Sequence, residues 1–163
     1  MIEKIISGGQ TGADQGALDY ALEQGIPCGG WCPKGRLCES GRIPDKYPVR
    51  EVDSDDYDFR TRKNISDSDG TLIIIKGALK ETGTRLTKSF CVQSGKPFMV
   101  IDIHDPVQPD MMRKDFRHWV QHSKIRTLNV AGNRESSSPG IQSATKQLLF
   151  ILQAGKEVPD LGQ

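Results

Sequence analysis

The 163-residue chain has no long apolar run, no excess of charge of either sign and only three histidines. No segment approaches the roughly 20 apolar residues of a membrane helix. Lysine and arginine number 22 against 21 aspartates and glutamates, a net charge of +1. That balance gives no bulk attraction to nucleic acid or to an acidic membrane surface, so neither is expected as a partner. The N-terminus enters a strand directly, without the basic, apolar and small-residue parts of a leader. Mean hydropathy is −0.49, and a cytoplasmic location is the expectation.

Familiar catalytic patterns are missing as well. The glycines at the N-terminus do not follow G-x-G-x-x-G, and no P-loop lysine accompanies them. His118 and His122 stand four apart but lack the carboxylate of an H-E-x-x-H helix, so they read as a surface pair. No paired carboxylates and no activated serine or cysteine stand out. Cys28, Cys32 and Cys38 share a Gly/Pro-rich loop, but their spacing fits no common zinc ribbon. With Cys91 they read as reduced thiols, and no metal site is assigned.

What is present is an alternation of strand, turn and helix with no internal repeat. Strands are expected at 2–7, 26–31, 70–76, 97–103 and 127–131. Helices are expected at 14–24, 57–66, 82–93, 111–122 and 141–153. The run Thr71-Leu72-Ile73-Ile74-Ile75 is continuous and mostly β-branched, as in a strand buried on both faces. The pattern predicts one α/β domain over 1–155, a doubly wound, mainly parallel five-stranded sheet, with a tail at 156–163. The expected strand order is 2-1-3-4-5. The loop from 32 to 56 is too long for a passive connection, so it covers a site or is disordered.

Three polar turns follow strands and open helices, which puts them at the carboxyl edge of such a sheet, where ligands bind. The first is Ser7-Gly8-Gly9-Gln10-Thr11-Gly12-Ala13-Asp14. Its glycines let backbone approach a ligand, and a helix N-terminus offers N–H groups to an anion. Asp14 is expected either to cap the helix or to bond a ribose hydroxyl. The second turn brings Glu81, Thr82, Gly83, Thr84 and Thr87; the third brings Arg134, Ser136, Ser137 and Ser138. Gly8, Gly9, Gln10, Thr11, Gly12, Asp14, Gly83, Thr84, Arg134 and Ser136 are therefore the candidate ligand-binding residues. Arg60 and Asn64, one helical turn apart, point either to this crevice or to water. Lys34 and Arg36 on the long loop are placed to close over an anion. Asp14 and Glu81 are the carboxylates near enough for catalysis.

The sequence resembles the molybdenum carrier family. The resemblance rests on SGGQTGADQGALDYA (7–21), Gly29-Gly30-Trp31-x-Pro33-x-Gly35, Asn64-x-x-x-Ser68-Asp69-Gly70-Thr71-Leu72-Ile73 and LNVAGNRESSSPGI (128–141). It implies a Rossmann-like fold that binds the molybdenum cofactor, a phosphorylated pterin, without transforming it, in a homo-oligomer. More distantly it implies kinship with lysine-decarboxylase-like, cytokinin-activating enzymes. Those carry P-G-G-x-G-T-x-x-E after the central strand. Here Gly83-Thr84 keeps the Gly-Thr pair, and Thr87 stands where the glutamate would be. That exchange speaks against phosphoribohydrolase or N-glycosidase activity and leaves phosphate binding intact. A nucleotide sensor that signals to a partner protein is the remaining alternative.

Overall fold

The structure is a computed structural model and describes residues 1–56, 58–77, 82–105 and 108–155. The expected tail, Tyr57 at the expected start of the second helix, and Glu81 lie outside the described residues. The elements run β1 (Lys4–Ile6), α1 (Ala13–Gln24), β2 (Cys28–Gly29), β3 (Trp31–Cys32), β4 (Leu37–Cys38), β5 (Gly41–Arg42), β6 (Arg50–Glu51), α2 (Phe59–Asp67), β7 (Gly70–Ile75), α3 (Thr82–Ser94), β8 (Phe98–Asp102), α4 (Pro109–His122), β9 (Thr127–Gly132) and α5 (Ile141–Gln153). Among the described residues no helix is long and apolar enough to cross a membrane.

The central sheet is Rossmann-like, five-stranded and all parallel. Its order is β2-β1-β9-β7-β8. Counting only these strands along the chain, that is 2-1-5-3-4, not the expected 2-1-3-4-5. The last strand sits beside the first, with Ile5 paired to Leu128 and Ile6 to Asn129. Alternation of strands and helices fixes the class of sheet but not which strand takes the inner place. β9 carries Asn129 among its buried residues and lacks the unbroken run of buried Leu and Ile of β7, so nothing local marks it as central. Counting from β7 instead, and reading from the β8 edge, restores 2-1-3-4-5. The expected order is therefore present in a chain that is opened between β2 and β7.

α1, α4 and α5 pack on one face and α2 and α3 on the other. Leu72 and Ile74 of β7 point into the larger core with Ala17, Leu128, Val130 and Leu149. α1 and α5 meet closely at Gly16, which has no side chain: a Cβ there would sit 2.3 Å from the Gln142 carbonyl oxygen. The 32–56 loop is ordered. Ile43, Tyr47 and Val49 bury against Leu18 and Cys32 as a small second core on α1. Tyr47 donates its hydroxyl to Asp19 at 2.7 Å, and Gln142 reaches the other Asp19 oxygen at 2.9 Å.

Candidate functional site

β9 and β7 are neighbours whose following helices go to opposite faces, α5 to one and α3 to the other. This is the switch point, where the carboxyl ends of the strands leave a crevice. The expected order 2-1-3-4-5 puts the switch between the first strand and the third, β7; β9 stands between those two, and the switch lies between β9 and β7 instead. Gly8, Gln10 and Asp14 line the crevice from the turn after β1. Asp58, Arg60, Thr61 and Asn64 come from α2 and the residue before it, and Gly83, Thr84 and Thr87 from the first turns of α3. Asn129, Gly132 and Arg134 complete it from the end of β9.

Arg60 and Asn64 both turn inward. Ile65 buries against Phe90 and Cys91, which anchors α2 on α3 and directs the neighbouring polar side chains to the strand ends. Asn64 accepts the Trp31 N–H at 2.8 Å and donates to the Trp31 carbonyl at 2.9 Å, so it ties α2 to β3. The Arg60 guanidinium lies over Gly8, and a Cβ on Gly8 would stand 1.8 Å from its Nη1. Arg60 Nη1 is 3.7 Å from Asp14 Oδ2, with both side chains almost fully buried.

Asp14 does not cap α1. The N-cap is Gly12, and no side chain bonds there. Asp14 stands inside the first turn and accepts the Gln10 N–H at 3.2 Å. Burial pushes its pKa up to about 6, against the opposing charge of Arg60 and the N–H groups of Gln10 and Gly8. A carboxyl raised in the folded state stabilises the fold below its unfolded pKa, near 3.8, and loses that contribution as pH rises through about 6. The shift corresponds to about 3 kcal/mol. Asp14→Asn is expected to abolish this slope. Urea unfolding of both proteins at pH 4.5, 5.5, 6.5 and 7.5 measures it; a wild-type minus variant difference that stays constant with pH overturns the assignment.

The other candidates divide. Gly8, Gln10, Asp14, Gly83, Thr84 and Arg134 share the crevice, whereas Gly9, Thr11, Gly12 and Ser136 stand outside it. Gly9 (φ 76°) backs onto Ile43. Gly12 (φ 85°) lets the first turn meet the third: a Cβ there would be 2.3 Å from the Asn133 carbonyl oxygen. Ala13 donates its N–H to that same oxygen at 3.1 Å. Several N–H groups of the first turn bond within it, Gly9 to Ser7 Oγ and Thr11 to Gln10 Oε1. Thr87 donates its hydroxyl to the Gly83 carbonyl at 3.0 Å.

Arg36 does not close over an anion. Its guanidinium donates to the carbonyls of Val49, Pro44 and Tyr47, which makes it the staple of its own loop. Lys34 is exposed on that loop. His118 and His122 are a stacked, exposed pair with ring centres 5.9 Å apart. The four cysteines are free; Cys32 and Cys91 are buried, and burial pushes both thiols up.

Two carboxylates that the sequence reading passed over hold the turns in place. Glu39 bonds Thr11 and Ser136. Glu135 accepts the N–H groups of Gly140 at 2.6 Å and Gln142 at 2.9 Å, capping α5 from the preceding turn. Neither has a sequence signal, because one lies far away in a charged loop and the other bonds forward across five and seven residues.

No curated protein matches the chain. Among solved structures it is similar to the crystal structure of "Putative molybdenum carrier protein" from Syntrophus aciditrophicus SB. The two are 48% identical with a TM-score of 0.88, over 94% of this chain and 96% of that one. A family model described as "Circularly permutated YpsA SLOG family" matches residues 5–152, in keeping with a strand order that becomes regular when counted from β7. The chain belongs to the circularly permutated YpsA SLOG family.

Proposed function

We propose that the protein is a carrier that binds a phosphorylated, pterin- or nucleotide-like ligand, the molybdenum cofactor foremost, at the crevice between β9 and β7. The observation that carries this reading is the convergence of Arg60, Arg134 and the Gly83-Thr84 turn of α3 on one crevice at the switch point. Guanidinium groups bind phosphate oxygens in a planar fork, and the first turn of a helix presents N–H groups and a positive dipole end to the same group. The donor set fits the phosphate of the cofactor. Molybdenum enters the reading from the carrier of Syntrophus aciditrophicus, whose name states it. Among the described residues no cluster of three or more His, Cys, Asp or Glu is placed to hold a metal ion. The cargo would accordingly be gripped by its organic and phosphate parts. Native mass spectrometry of the purified protein, followed by titration with molybdenum cofactor, molybdate and a nucleotide panel, tests the proposal. Saturable binding of a phosphorylated ligand is expected, and no binding to any of them overturns it.

One observation favours a second reading, a nucleotide N-glycosidase or phosphoribohydrolase. Asp14 is a buried carboxyl in the crevice wall with a pKa of about 6, within reach of acid–base work near neutrality. Incubation with nucleoside monophosphates separates the readings. Release of free base that disappears in Asp14→Asn favours the enzyme, and intact nucleotide favours the carrier.

A further inference from the structure

The β4–β5 hairpin places a carboxylate where an anion belongs. Glu39 sits at its tip. The Thr11 hydroxyl and the Ser136 N–H, at 3.1 Å, both donate to Glu39 Oε1, and the Ser136 hydroxyl donates to Oε2 at 2.5 Å. Burial alone would raise the Glu39 carboxyl. The hydrogen bonds from Ser136 and Thr11 and the charge of Arg134 hold it below its ordinary value instead. Convergent N–H and O–H donors beside a guanidinium are also what a terminal phosphate requires, and a phosphate brings more charge and a third oxygen.

The nest adjoins the crevice. Thr11 follows Gln10, and Ser136 lies two residues beyond Arg134; both of those neighbours line the crevice. Gln10 Oε1 also accepts the Glu39 N–H at 2.9 Å. The base of the hairpin is held independently of its tip. Its base is fixed by the Arg36 staple and by buried Ile43, Tyr47 and Val49. Leu37, Glu39, Ser40 and Gly41 at the tip are exposed, and among the described residues no non-neighbouring atom stands within 4 Å of a Cβ built on Gly41.

We propose that the Thr11–Ser136 nest is a second anion subsite, held by Glu39 in the free protein, that takes the distal phosphate of a ligand carrying two linked phosphates. The inference rests on the reading of the crevice as the seat of the first phosphate. A single phosphate binds in the crevice and leaves the hairpin in place. A diphosphate reaches both sites and displaces Glu39, so the free protein discriminates against it by the strength of the Glu39 contacts.

Calorimetric titration with inorganic phosphate and with pyrophosphate, on the full chain, tests this. Glu39→Ala is expected to tighten pyrophosphate at least 10-fold and to change phosphate less than threefold. Adding Ser136→Ala to Glu39→Ala should remove most of that gain. If Glu39→Ala is too unstable to titrate, Glu39→Gln removes the charge and one of the two acceptor oxygens and should give a smaller gain of the same sign. In the unaltered protein, pyrophosphate but not phosphate should speed hydrogen exchange over 37–42. Pyrophosphate binding that is unchanged or weaker in both Glu39 variants, with phosphate still bound, overturns the subsite and makes Glu39 a brace. Failure of every form to bind either anion overturns the crevice reading and the subsite with it.

Discussion

Arg60→Ala is expected to weaken binding of a phosphorylated ligand about 10- to 100-fold, the loss of about 1.5–3 kcal/mol that goes with removing a hydrogen bond to a charged group. The expectation follows from where the guanidinium is held. α2 projects it into the crevice, Gly8 makes room for it, and Asp14 faces it at 3.7 Å. The same substitution has a second consequence. Asp14 remains buried without the positive charge that opposes its desolvation, so its pKa should rise above its present value of about 6. The window in which the fold loses stability with pH then moves upward. Arg60→Lys restores a charge but not a planar fork, so it should recover part of the pKa effect and little of the affinity. Titration calorimetry and pH-dependent unfolding of both variants check this. A variant that binds as tightly as the parent protein removes Arg60 from the site.

Gly12→Ala is expected to destabilise the fold by about 3–5 kcal/mol, because it combines two faults that usually act separately. The backbone there has φ 85°, and the new methyl would stand 2.3 Å from the Asn133 carbonyl oxygen and 2.7 Å from the Glu135 nitrogen. Both neighbours are backbone, so neither can swing away. Thermal unfolding should show a midpoint lower by roughly 10 °C, given about 2–4 °C per kcal/mol in a chain of this size. A drop of less than about 3 °C would mean that the first and third turns move apart without cost. The contrast with Gly83 is informative. Among the described residues nothing lies within 4 Å of a Cβ built on that glycine, so alanine there should leave the melt nearly unchanged.

How far the sequence reveals this molecule depends on the distance over which each feature acts. β7 was legible because its burial is written in consecutive residues, and α1 because Gly25 stops it in a left-handed conformation, φ 65°. The place of β9 was not legible, since a parallel strand pairs with whichever neighbour the crossovers deliver. In the first turn the glycines correctly marked a close approach, but at Gly12 what approaches is the chain's own third turn. Arg60 carried only a hint, a polar helix with one buried isoleucine. Glu39 carried none, because its partners Thr11 and Ser136 lie 28 and 97 residues away. Local periodicity holds no record of such pairings.

The strand order also sets a timetable for synthesis. β1 leaves the ribosome well before its inner neighbour β9, which begins at Thr127, and Lys4 pairs with that residue. Until then the inner edge of β1 is unsatisfied and only β2 can pair with it. Contacts of such long sequence separation slow folding, because loop closure precedes any reward. The wall formed by Asn129, Gly132 and Arg134 arrives with the same strand. Sheet closure and assembly of the crevice thus belong to one event, and a nascent chain reaches its ligand-competent form only after β9 has emerged.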